Sequence, residues 1–288
     1  MQNVSPDAQT FDFYPLRFDF SALETFLFPP ILSANIFRGA FGLVLRRIAP
    51  EAYREIFAPV ASLPGPSGLV NPPRPFVFRT RHLDGMAVEP GQTFSIHINL
   101  FWRDHGRVAD VINTFAAVFE EIARTGFGPQ HSRAHVLSGP LPPKLLSLPI
   151  RPAAVAERIH VDFLTATELK AENHILDTPL FAVLLRRARD RISTLRTLYG
   201  TGPLEIDFEA LNARSAAVQL TSNDIHHVEA SRRSSRTGHT HPLGGFVGFA
   251  EYTGALSEFL PYLHIAEHTG IGRQTVWGKG EIATRTLA

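Results

Sequence analysis

Residues His268 to Ile282 read HTGIGRQTVWGKGEI, and the place of this stretch in the chain decides how the rest is read. Four glycines, Gly270, Gly272, Gly278 and Gly280, fall within eleven residues. Glycine accepts positive φ and lets a second backbone come close, so the stretch reads as a tight loop. Arg273, Gln274, Thr275 and Lys279 are interleaved with the glycines. Successive backbone N–H groups in such turns form a concavity suited to an anion. Guanidinium and ammonium groups beside it suit a phosphate, and Trp277 offers a ring to pack or to stack on a base. A plain connector between a helix and a strand is the structural alternative.

Working outward, Leu256, Phe259, Leu260 and Leu263 define a helix before the loop, and Glu281 to Leu287 reads as a strand after it. His264 shares a helical face with Leu260, which predicts a core or boundary histidine. Phe246 to Tyr252 reads as a strand, paired with one that begins at Ala216 to Leu220 and continues toward Val228. Thr178-Pro179 opens a helix, threonine as cap and proline in the first turn. Its apolar stripe runs from Phe181 to Tyr199, the arginines between Arg186 and Arg196 lie along the rest, and Gly200 ends it. Arg158 to Leu164 is the strand that starts this series.

The order is therefore strand, helix, strand, strand, helix, strand, and it occurs once before. Thr10 to Ala22 alternates as a strand, and Asn35 to Ile48 has apolar residues at helical spacing with Arg38, Arg46 and Arg47 on its other face. Phe76 to His82 and Thr93 to Trp102 read as strands; in the second, Ser95, His97 and Asn99 share the polar face. Val108 to Ile122 is an amphipathic helix stopped by Gly126, and Arg133 to Leu137 is a short strand. The fold class is α+β: tandem ferredoxin-like (RRM-like) βαββαβ units with antiparallel sheets. Pro140 to Pro152 holds five prolines and divides the chain into 1–145 and 146–288, the second part carrying the glycine-rich loop. A dinucleotide enzyme is a third and weak reading of that loop, because the loop follows a helix and precedes a strand, the reverse of the nucleotide-binding order.

Composition narrows the function classes. The net charge of +1 gives no overall basic field. Of 28 basic residues three are lysine (Lys144, Lys170, Lys279), leaving 25 arginines, the better residue for bidentate phosphate contact. There is no cysteine, which removes disulfides, thiolate metal sites and a cysteine nucleophile. No signal-like N-terminus and no apolar run of about eighteen residues is present, so a cytoplasmic protein without membrane contact is expected.

Four segments in order carry a family likeness: FRGAFGLVLRR (Phe37 to Arg47), FLTATELK (Phe163 to Lys170), RRSSRTGHTHPLGGFVGFAEYTG (Arg232 to Gly254) and GIGRQTVWGKG (Gly270 to Gly280). Together they resemble the RAMP superfamily of CRISPR systems, and within it the pre-crRNA-processing endoribonuclease. The resemblance implies a metal-independent enzyme, without cofactor, that cuts CRISPR repeat RNA within precursor crRNA. In that reaction a ribose 2′-OH attacks the adjacent phosphate, leaving 2′,3′-cyclic phosphate and 5′-OH ends. The implied partners are the repeat RNA, CRISPR effector complex subunits and, as a further association, a second copy in a homodimer. The alternative from the same resemblance is a non-catalytic RAMP subunit that binds crRNA in an effector complex.

Such a reaction needs a base of near-neutral pKa and cations for the developing charge, and histidine is the natural base. Relatives often keep it in or near the first helix, but no histidine stands between Gln2 and Arg81 here. Ala166 also stands where proline is common in the family's strand motif. The candidate catalytic residues are therefore His239 and His241 with Arg236, in the basic stretch Ser231 to Pro242, and His268 before the glycine loop. The candidate RNA-binding residues are Arg232, Arg233, Gly270, Gly272, Arg273, Gln274, Thr275, Gly278, Lys279 and Gly280, and no metal ligand is expected.

Overall fold

A computed structural model describes residues 9–31, 33–59, 72–140, 144–152, 155–171, 174–229, 231–233, 240–242 and 244–287, with backbone alone at 231–233 and 240–242. Alternation in the first segment makes β1 (Thr10–Ala22), whose Leu16, Phe18 and Phe20 all turn to one side. Helical spacing makes α1 (Ser33–Ile48) and α2 (Val108–Thr125), which cover that side with Phe37, Phe41, Leu45, Phe115 and Phe119. The sheet is completed by β2 (Phe76–Arg79), β3 (Thr93–Leu100) and β4 (Ala134–Ser138). The spatial order is β2-β3-β1-β4, and each of these pairs is antiparallel. Each fully buried phenylalanine of this core contributes roughly 1.5–3 kcal/mol.

The second unit repeats the plan after β5 (Leu146–Pro149). It comprises β6 (Arg158–Thr167), α3 (Phe181–Tyr199), α4 (Phe208–Ser215), β7 (Gln219–Val228), β8 (Gly245–Thr253), α5 (Leu260–Thr269) and β9 (Ile282–Leu287). Its order is β7-β8-β6-β9, again antiparallel, so in both units the first strand lies between the third and the fourth. Two ferredoxin-like units follow from this topology.

Several local expectations are corrected. The helix after Thr178-Pro179 begins at Phe181, because Leu180 is itself extended (φ −59°, ψ 130°) and takes the N-cap position. α4 has no counterpart in the sequence reading; Asp207 caps it by accepting from the Ala210 N–H at 2.9 Å, and it delays the next strand from Ala216 to Gln219. β2 ends at Arg79 and is followed by a 3₁₀ turn, Arg81–Leu83. Of the α3 arginines that lie off the apolar stripe in sequence, Arg189 and Arg196 are nonetheless buried, and Arg189 pairs with Asp190 and Asn212.

The proline-rich stretch is more than a tether. β5 pairs with the first residues of β1, Thr10 to Phe13. Phe11, Phe13, Val77 and Phe101, on the outward face of the first sheet, belong to the second core. We propose the division 1–145 and 146–288 for the folding units on the strength of two cores that follow it, apart from those four residues and Val276, which packs in the first core. Across the seam the Asn99 side-chain N–H donates to the His268 carbonyl at 2.9 Å, and the Tyr199 hydroxyl donates to the Pro73 carbonyl at 2.7 Å. Among the described residues, no helix is long and apolar enough to cross a membrane.

Candidate nucleic-acid interface

The glycine loop is built by closure of its two ends. The Ile271 N–H donates to the Gly280 carbonyl at 2.8 Å, and the Gly280 N–H donates to Ala166 of β6 at 3.1 Å. Gly280 has φ +70°, and a Cβ there would lie 1.8 Å from the Ile271 carbonyl oxygen; at Gly272, with φ +76°, it would lie 2.4 Å from the Glu168 carbonyl oxygen. Only glycine tolerates both the conformation and the approach. Gln274 takes a left-handed conformation and starts a 3₁₀ turn, Thr275–Trp277. That turn rests on α1, where Gly278 faces Ala34 and the Trp277 ring lies 4.6 Å from the Arg38 guanidinium. Arg38, read from sequence as part of a polar helix face, is thus buried between Trp277 and Phe57.

Two loop residues depart from their expected role. Lys279 is buried, and its ammonium group donates to the Gly244 carbonyl at 2.6 Å and to Gln274 Oε1 at 3.2 Å. The Glu168 carboxylate stands 3.9 Å away. A cation so enclosed holds the loop together and has no face to offer a phosphate. Thr275 is buried as well. Arg273 is different: its side chain is 58% exposed while Nη1 reaches Glu168 Oε1 at 2.7 Å. Glu168, in the FLTATELK segment, is the residue that sequence reading missed. A buried carboxylate facing both loop cations sets their geometry, and one signal for it was an acidic residue within an otherwise apolar and threonine-rich strand end.

Burial lowers the Lys279 pKa to about 8, with Glu168 opposing and Arg273 adding to the shift. An unfolded chain binds this proton up to an ordinary lysine pKa of 10.5, whereas the folded protein releases it from about 8 upward. Between those values the unfolded state carries more protons, so stability rises with pH. Chemical denaturation of the wild type and Lys279→Met across this range should therefore show the difference moving in favour of the wild type as pH rises. A constant difference would mean that the ammonium group is not buried.

The basic stretch is described in part. Ser231–Arg233 pairs with Thr240–Pro242 as a short ribbon, with Arg232 opposite His241. Arg236 and His239 lie outside the described residues. The Lys279 bond to Gly244 ties the exit of this ribbon to the glycine loop, so the two basic segments are neighbours. His268, in the last turn of α5, is half-buried, with its ring 4.7 Å from Phe13. Desolvation, and after it Arg79, holds its imidazole below the usual range. His268 lines the groove between the units. His264 is exposed, because the buried side of α5 is taken by Leu260, Leu263, Ile265 and Ala266.

Comparison with known proteins agrees with this layout. The family model for the CRISPR-associated endoribonuclease Cas6 matches residues 161–282, and a model for an N-terminal domain matches residues 11–139. Among solved structures, Thermus thermophilus Cas6 superposes with a TM-score of 0.55 at 15% identity, covering 96% of this chain and 100% of that one. The product complex of that protein gives 0.58 at 16% identity, with 94% and 99% covered. A second Cas6 product complex gives 0.56 at 17% identity, with 96% and 100% covered. At these identities the superpositions establish a shared fold. No curated protein sequence matches the chain.

Proposed function

With residues 161–282 carrying the domain of the CRISPR-associated endoribonuclease Cas6, we propose that the protein cleaves CRISPR repeat RNA within precursor crRNA without a metal ion. A ribose 2′-OH attacks the adjacent phosphate, and the products carry 2′,3′-cyclic phosphate and 5′-OH ends. A neutral imidazole takes the 2′-OH proton, and guanidinium groups offset the charge of the transition state. His239 or His241 beside Arg236, or else His268, supplies the imidazole; Arg273, with Arg232 and Arg233, binds the RNA backbone. The observation that carries this reading is the closed glycine loop, which keeps Arg273 at the surface and fastens the basic ribbon beside it.

Incubation of the protein with its repeat RNA in EDTA should give one cut and a cyclic-phosphate end. Binding without cutting would favour the non-catalytic RAMP subunit instead. In the same assay Arg273→Ala should weaken RNA binding and lower the slope of log affinity against log salt by about one. An unchanged affinity and slope in the folded variant would remove the loop from the interface. The associations expected beyond RNA are with other subunits of a CRISPR effector complex.

A further inference from the structure

A groove of about 470 Å³ opens where the outward face of the first sheet meets α5, with Leu146 of β5 and Glu281, at the end of the glycine loop, in its wall. The register of that sheet places His97 of β3 opposite Arg17 of β1 on one side and opposite Arg79 of β2 on the other. Directly opposed residues have Cβ atoms about 4.5–5.5 Å apart, so one imidazole sits in a row between two guanidinium groups. His82, from the turn after β2, lays its ring 4.9 Å from that of His97. Ser95 fixes both rings: its carbonyl is 3.0 Å from His82 Nε2, and its hydroxyl is 3.1 Å from His97 Nε2.

Most fixed charges around this groove are paired. Arg17 pairs with Asp19 at 2.7 Å, and Arg79 and Arg81 share Glu281 at 3.4 and 3.6 Å. Glu267 of α5 adds a third carboxylate and accepts from the Thr284 N–H at 2.8 Å, while Arg191, which donates to the Thr269 carbonyl at 2.9 Å, adds a fourth guanidinium near Arg79. The charge of the groove that changes near neutral pH is carried by imidazoles: His97 and His268 in its lining, and His82 beside it against the His97 ring. Desolvation first, then His82 and Arg17, hold the free His97 imidazole below the usual range, with Asp19 opposing. It is therefore uncharged near neutral pH and has a proton to gain. A phosphate within about 4–6 Å favours the charged imidazole and raises such a pKa.

We propose that this groove binds a phosphodiester of the RNA, at a place separate from the glycine loop, and that the His82–His97 pair takes up a proton as the phosphate enters. The inference rests on the reading of RNA as the ligand. Glu281 follows Gly280 directly and forms part of the groove wall, so a strand leaving the glycine loop runs on into the groove. The phosphate displaces Asp19 from Arg17, and the exposed Arg17 side chain swings freely enough to follow it.

The test uses a repeat RNA with 2′-O-methyl nucleotides throughout, which cannot be cut, and measures affinity by fluorescence anisotropy between pH 5.5 and 8.5. Wild-type affinity should rise on the order of tenfold as pH falls, the equivalent of a one-unit pKa rise on binding. His82→Gln/His97→Gln should change by less than about twofold over the same range. Calorimetry at pH 6.5 in two buffers of different ionisation enthalpy should show proton uptake in the wild type and its loss in the double variant. His82→Gln alone, at an exposed position, repeats the measurement where folding is not at issue. A double variant with the pH dependence and proton uptake of the wild type overturns the proposal while the RNA reading stands. RNA that fails to bind at every pH overturns both.

Discussion

Gly280→Ala should lower the unfolding free energy by about 3 kcal/mol or more, the largest effect expected of any single methyl group in this loop. Two costs add. Gly280 has φ +70°, where an L side chain is strained. Its Cβ would also stand 1.8 Å from the carbonyl oxygen of Ile271, the residue whose N–H closes the loop onto the Gly280 carbonyl. Backbone cannot step aside there without giving up that bond or the one to Ala166. At this chain length the loss corresponds to a melting temperature lower by roughly 6–12 °C. Gly39→Ala is the control: it lies inside α1 with nothing within 4 Å of an added Cβ, and alanine there should add up to about 1 kcal/mol. Equal stability of Gly280→Ala and the wild type in urea would mean that the loop does not close as described.

The second large effect is on chemistry. Replacing the imidazole base by alanine should slow single-turnover cleavage on the order of a hundredfold or more, with little change in RNA affinity. His239, His241 and His268 are to be replaced singly. The pH profile separates His268 from the ribbon histidines. A base must be unprotonated, so the rate rises with pH through its pKa and then levels. His268 is held below the ordinary value of 6.5 by burial and by Arg79, so if it is the base the acid limb lies below that pH. Loss of that limb in His268→Ala would assign the role. Wild-type rates in all three single variants and in the triple variant would place the base elsewhere in the molecule.

What could be read from sequence alone were the features with a local cause. Strand alternation and helical spacing are set by neighbours within one or two turns, so β1, α1, β3, α2, α3 and β9 were legible close to their true bounds, and with them the two ferredoxin-like units. The glycine loop was legible for the same reason, since positive φ is a property of the residue itself. Features that depend on a partner were not. Lys279 looked like a surface cation because its enclosure depends on Glu168, just after β6, and Gly244, before β8, as well as on Gln274 of the loop itself. Arg38 looked solvated because the Trp277 ring that covers it lies far away in the chain. Alternation placed His97 on a polar face, but only strand register set it between Arg17 and Arg79, and only the approach of α5 and of Glu281 to that face made it a groove. The order of elements is written in short-range periodicity, whereas the charge and burial of each side chain are fixed by which distant strands and helices meet it.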